Sequence, residues 1–131
     1  MTFNHAMLYS RNVGLSLTFY ADLLGFKLLD EFRAGDMIFY ARLKSPRGNS
    51  TIAIHMLERG QELHTGGVRL YFEVPELARF CKRLEKAGAK FKQLPKKMPW
   101  GWTHAYLDDP DGHEVSLYWA GKKRLARAAK K

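Results

Sequence analysis

Apolar and polar residues alternate from the start of the chain. In FNHAMLYS, Ala6 and Leu8 fall on one face of a predicted strand, and His5, Met7 and Tyr9 on the other. The period then lengthens. In NVGLSLTFYADLLGF, Val13, Leu17, Tyr20 and Leu24 recur at helical spacing, with Asn12 placed to cap the first turn and Gly25 to close the last. Alternation returns in KLLDEFR, DMIFYARLK and STIAIHMLE, three predicted strands separated by turns at Gly35 and at Pro46, Arg47, Gly48 and Asn49.

GQELHTGG interrupts the pattern, and the same order of elements then starts over. GVRLYFEV reads as a strand, PELARFCKRLEKAG as a helix with Pro75 at its start and Gly88 at its end, and AKFKQL, WTHAYLD and HEVSLYW as three further strands. Strand, helix and three strands, repeated once, predict an α+β chain of two βαβββ modules. The expected boundaries are 1–60 and 61–120, followed by a basic tail over 121–131. The expected packing is a cupped, mostly antiparallel sheet with helices on the outside, because each sheet has one apolar face to cover. Superposing the halves by their apolar neighbours puts His5 over Arg69 and His55 over Ser116, all four on the inner face.

Composition agrees with one compact fold. The chain has 131 residues, 46% hydrophobic and 13% aromatic, ample for a packed core. Its apolar runs are too short for a membrane span, and MTFNHAMLYS lacks the basic-then-apolar layout of a signal peptide, so a cytoplasmic protein without membrane partners is expected. A single cysteine, Cys81, excludes an internal disulfide and a cysteine-based zinc cluster. Of the formal net charge of +9, the last ten residues hold six basic side chains and no acid, so only +3 belongs to the rest. That tail is either a solvated end or a weak, non-specific contact for nucleic acid.

The stretch DPDGHEVSLYW carries the candidate chemistry. Asp109, Pro110, Asp111 and Gly112 form a tight turn, and the strand after it places Glu114, Ser116 and Tyr118 on one face and His113, Val115 and Leu117 on the other. Val115 and Leu117 suit packing, which leaves the polar face to line a site. His104, on the preceding strand, is expected beside it. Arg69 reads in two ways: as a grip for a ligand carboxylate or phosphate, or as the partner of Glu114 or Glu73. Tyr71, Trp102 and Tyr118, with Tyr9, Tyr106 and Trp100, offer flat walls for a ring-bearing ligand or packing for the core. Met98, Pro99, Trp100, Gly101 and Trp102 read as an exposed loop.

With HAMLYSRNVGLSLTFYADLLGF near the start and DDPDGHEVSLYW near the end, the chain resembles the vicinal oxygen chelate superfamily, which holds glyoxalase I, bleomycin- and fosfomycin-resistance proteins and extradiol dioxygenases. The likeness covers residues 3–119. It implies a divalent metal (Zn, Ni, Mn or Fe) held by residues at the positions of His5, His55, Arg69 and Ser116. Typically these are histidines and carboxylates. Arg69 and Ser116 depart from that set: a guanidinium repels a cation and a serine is a poor ligand at neutral pH.

The sequence therefore points to a protein that binds a small anionic or aromatic ligand in its cup without a cofactor, the standard metal site being degenerate. Its expected binding residues are Arg69, His5, His55, Ser116, Glu114, Tyr71, Trp102, His104 and Tyr118. The resemblance also implies a homodimer. The alternative is a glyoxalase-like lyase or ring-cleaving dioxygenase with an atypical metal site using His5 and His55; no catalytic residue is assigned.

Overall fold

A computed structural model of the chain describes residues 1–121; the tail expected over 121–131 lies, apart from Gly121, outside the described residues. Two compact units are present, Met1–His64 and a second that begins at Thr65.

In the first unit, strand β1 (His5–Ser10) is followed by helix α1 (Val13–Leu17) and by β2 (Lys27–Ala34), β3 (Met37–Lys44) and β4 (Thr51–Met56). Asn12 caps α1 as expected, its side-chain oxygen accepting from the Leu15 amide at 3.2 Å. The helix does not continue as a regular α-helix to Gly25. Over Thr18–Leu23 it widens into a π-helical turn, with the Leu24 amide reaching back to the Phe19 carbonyl. The adjacent side chains of Phe19 and Tyr20 are both buried there, which a strict three-to-four spacing of apolar positions does not anticipate.

The sheet order is β1-β4-β3-β2, with β1 parallel to β4 and the other pairs antiparallel. Register places Ala41 beside Ile54 and Leu43 beside Ile52, and these four are buried with Val13, Tyr20 and Leu24. Each fully buried Val, Leu or Ile side chain among them contributes about 2 kcal/mol to folding.

The second unit repeats the order. It comprises β5 (Arg69–Glu73), α2 (Leu77–Lys86), β6 (Phe91–Lys97), β7 (Thr103–Asp108) and β8 (Glu114–Trp119), in sheet order β5-β8-β7-β6. Leu77, Cys81 and Leu84 of α2 are buried, as are Ala105, Leu107, Val115 and Leu117 of the sheet. Burial pushes the Cys81 thiol up to about 11, so it stays protonated, as a small apolar core residue does.

Pro75 precedes α2 rather than starting it. Glu76 stands between them with φ of 53°, a left-handed conformation that strains a residue with a side chain. Pro95 is tolerated in β6 because that strand is an edge whose pairing with β7 is already irregular.

The expected class holds: the chain is α+β, with two βαβββ modules, each a four-stranded mixed sheet with a helix. Among the described residues no helix is long and apolar enough to cross a membrane.

Candidate functional site

Strand register decides which candidate side chains meet. In the second unit, Arg69 pairs with Glu114, Tyr71 with Ser116, and Glu73 with Tyr118, while β7 places Tyr106 against Ser116 and His104 against Tyr118. The face opposite Val115 and Leu117 therefore carries Arg69, Tyr71, His104, Tyr106, Glu114, Ser116 and Tyr118 together.

The Arg69 guanidinium donates to the Glu114 carboxylate and, at 3.4 Å, to the Tyr71 hydroxyl, and it lies 4.8 Å from the centre of the Tyr106 ring. Lys92 completes the arrangement: its ammonium donates to Glu114 at 2.7 Å and to Asp108 at 3.3 Å. Two cations and two carboxylates balance. The Lys92 hydrogen bond, the largest influence, lowers the Glu114 carboxyl; burial opposes it, and the Arg69 hydrogen bond and the two positive charges bring the balance below the usual value. Of the two readings of Arg69, its partnership with Glu114 is present. A ligand anion would meet a guanidinium whose charge Glu114 already balances.

His104 lies deeper, 1% exposed, with Ser116 at 0%. Its Nδ1 and the Ser116 hydroxyl are 2.9 Å apart, and its Nε2 is buried with no hydrogen-bond partner among the described residues. Five aromatic rings surround the imidazole. Tyr118 and Trp102 lie nearly parallel to it, at 5.5 and 6.2 Å, and nearly parallel to each other at 5.1 Å. Tyr71 and Trp100 meet it edge to face at 5.9 and 5.4 Å, and Tyr106 is tilted at 5.7 Å. Burial first, and the nearby Arg69 charge second, lower the His104 pKa, so the ring is neutral at neutral pH.

The first unit places its two candidates apart. His5 pairs with Thr51, and His55 with Tyr9. Four residues of strand separate them, about 13 Å at 3.3 Å per residue, whereas two imidazoles on one ion each lie about 2 Å from it.

Their lone pairs differ too. Arg42 donates to His5 Nε2 at 3.1 Å, and His5 Nδ1 donates to the Asn4 side chain at 2.6 Å. His55 donates from Nδ1 to the Met56 carbonyl at 2.6 Å and sits among Tyr9, Phe39 and Tyr40. The expected pairing of His5 and His55 at one metal does not fit this geometry.

The expected superposition of His55 on Ser116 is corrected as well. With His5 matched to Arg69, their partners Thr51 and Glu114 match, and so do Ala53 with Ser116 and His55 with Tyr118. Burial along β4 and β8 follows the same alignment. The residues at the positions that the resemblance assigns to metal are then His5, Ala53, Arg69 and Ser116. A methyl group, a paired guanidinium and a hydroxyl bonded to histidine are not a donor set for a divalent ion.

Among the described residues one other group brings three possible donors together, Asp109, Asp111 and His113. Both Asp109 oxygens are already engaged: Oδ1 accepts from the Asp111 and His113 amides at 2.9 Å, and Oδ2 lies 2.7 Å from His113 Nδ1. With Gly112 at φ of 98° and its amide on the Asp109 carbonyl, this is the expected turn, braced by a buried aspartate.

Lys92, Asp108, Arg42, Asn4 and Ala53 were not among the candidates. Alternation in DMIFYARLK puts Tyr40 and Arg42 on the face of His55, a signal strong enough to have marked Arg42. Lys92 lies on an irregular edge strand, where alternation says little.

Comparison with known proteins agrees with the fold. The model of the Glyoxalase/Bleomycin resistance protein/Dioxygenase superfamily matches residues 2–117. A probable lactoylglutathione lyase from Synechocystis sp. is 25% identical over 126 residues, 92% of this chain and 96% of that protein. The crystal structure of TioX from Micromonospora sp. superposes with a TM-score of 0.73 at 20% identity, covering 91% of this chain and 98% of that one. That of TnmS3, an antibiotic binding protein from Streptomyces sp., gives the same TM-score and identity over 91% and 96%.

Proposed function

Because the chain belongs to the Glyoxalase/Bleomycin resistance protein/Dioxygenase superfamily, we propose that it uses the fold as a metal-independent binder of small, ring-bearing molecules. The observation that carries this reading is the cluster of Tyr71, Trp100, Trp102, Tyr106 and Tyr118 on one sheet face around a neutral histidine. Flat side chains of this kind present large, rigid area to a planar ligand at low conformational cost. An antibiotic binding protein among the structural neighbours is in keeping with it. The anionic half of the expectation has less support, since Arg69 and Lys92 are neutralised by Glu114 and Asp108.

A lyase is the second reading, favoured by the Synechocystis relative. Metal-assisted lyase chemistry needs donors that Ala53, Arg69 and Ser116 do not supply. We further take the protein to act in the cytoplasm as a homodimer. Leu28, Leu29 and Phe32, exposed on the edge strand β2, offer apolar surface for a second copy.

Titration of intrinsic tryptophan fluorescence with an anthracene monosulfonate tests the main reading. Saturable quenching is expected, weakened at least about tenfold by Tyr118→Ala, the loss of one stacking wall. Quenching that never saturates, or that Tyr118→Ala leaves untouched, defeats it.

A further inference from the structure

Ser116 and His104 together determine which face of hydrogen bonding this aromatic cluster presents. A neutral imidazole carries one proton, on Nδ1 or on Nε2. Suppose Nδ1 carries it and donates to Ser116. Then the buried hydroxyl proton has no acceptor among the described residues, and the Nε2 lone pair is unpaired too. Suppose instead the serine hydroxyl donates to Nδ1. Its proton is then satisfied, and a single donor, Nε2–H, is left over. A buried polar group without a partner costs about 1–3 kcal/mol, so the arrangement with one orphan is favoured over that with two. The serine acts here as a tautomer lock.

An orphan donor in a wall of aromatic rings is a specific recognition element. We propose that His104 Nε2–H selects, among ring-bearing ligands, those that carry a carbonyl or comparable acceptor on the ring. This rests on the reading that the cluster binds planar molecules, and it adds the chemical class. The stacked surfaces of Trp102 and Tyr118 accept any flat ring. Only a ligand with an acceptor satisfies the imidazole, and the penalty already present in the free protein is relieved on binding. Access requires a wall to move. Trp100 and Tyr71, 54% and 50% exposed, are the rings least held by packing, and Trp100 rides on a tight turn closed by the Met98 amide on the Trp102 carbonyl at 2.7 Å.

The test compares two probes of equal charge and ring outline, an anthraquinone monosulfonate and the anthracene monosulfonate, by fluorescence titration of the full chain. The quinone is expected to bind about tenfold tighter, one net hydrogen bond, and His104→Gln to reduce that ratio several-fold. Equal affinity for the two probes overturns the selection by His104 while leaving the binding of rings intact. Binding of neither overturns both.

Nitrogen NMR of the imidazole provides a readout that does not depend on a mutant folding. In the free protein Nε2 should be protonated and Nδ1 bare, and the quinone should shift the Nε2 proton downfield. A proton on Nδ1 overturns the proposal whatever the affinities.

Discussion

His104 and Tyr118 stand opposite each other in the β7–β8 register with their rings nearly parallel, and Tyr40 and His55 occupy the same two places in the first sheet with the identities exchanged. The two pairs differ in what the histidine nitrogens do. His55 gives its Nδ1 proton to a backbone carbonyl, a bond any strand provides, whereas His104 Nδ1 meets a serine hydroxyl two residues before Tyr118. One repeat unit thus carries an imidazole tethered to its own strand, and the other a buried imidazole whose Nε2 has no hydrogen-bond partner among the described residues.

Ser116→Ala is expected to cost about 1–2 kcal/mol of unfolding free energy, because it strips the second nitrogen of a buried imidazole of its partner. Its counterpart change, Ala53→Ser, places a hydroxyl where the register offers no imidazole and should not stabilise the protein. Urea denaturation of both variants checks this. A silent Ser116→Ala would mean that the hydroxyl is not what His104 relies on.

Stability should fall in two steps on acidification. The folded protein holds His104 below the ordinary value of 6.5, chiefly by burial, so the unfolded chain takes up that proton first. Stability from this group is complete above 6.5 and is lost as the pH falls through the lower folded value. Glu114 behaves alike from its own ordinary value of 4.5, being held down by Lys92 and Arg69. In pH-dependent denaturation, His104→Gln should flatten the upper step and Glu114→Gln the lower one. Glu114 is partly exposed, so its variant should lose only about 1 kcal/mol at neutral pH.

Zn, Ni, Mn or Fe(II) should raise the melting temperature of the purified protein by no more than about 2 °C, since stoichiometric tight binding at excess ion would add several kcal/mol. The His5 lone pair is held by Arg42, and Ala53, Arg69 and Ser116 are not ligands. One equivalent of metal retained through dialysis, and lost in His5→Ala, would refute this.

Much of this arrangement was legible in the sequence. Alternation and helical spacing located the strands and helices of both modules, and placing Glu114, Ser116 and Tyr118 on one face followed from the period of two. The register between modules was not legible. A slip of two residues leaves every side chain on its own face, so apolar alternation matches His55 to Ser116 as readily as it matches Ala53. The strand pairing, which joins Thr51 to His5 and Glu114 to Arg69, separates them. The network of Lys92 escaped for a related reason: β6 has two register shifts around Gln93.

The basic tail lies outside the described residues, and the expectation for it comes from composition. Among residues 122–131 only Leu125 is a sizeable apolar group. Removing residues 122–131 should therefore shift the melting temperature by less than about 3 °C, under about 1 kcal/mol for a domain of this size. A larger loss in a thermal melt would show that the segment packs on folded protein.

Asp109 and His113 allow the turn and ion-site readings of DPDGH to be told apart. If the aspartate braces the turn, its value lies in three bonds: two backbone amides on Oδ1 and the His113 imidazole on Oδ2. Asp109→Ala removes all three in a buried place and should cost about 2–4 kcal/mol. Asp109→Asn keeps an acceptor for the amides and can donate to His113 Nδ1 once that ring carries its proton on Nε2, so it should lose less than half as much. An ion site predicts another order. There the carboxylate charge is what matters, Asn is nearly as damaging as Ala, and both losses vanish when metal is removed from the parent protein by a chelator. Chemical denaturation of the three proteins, with and without chelator, decides between these orders, and the engaged oxygens of Asp109 lead us to expect the first.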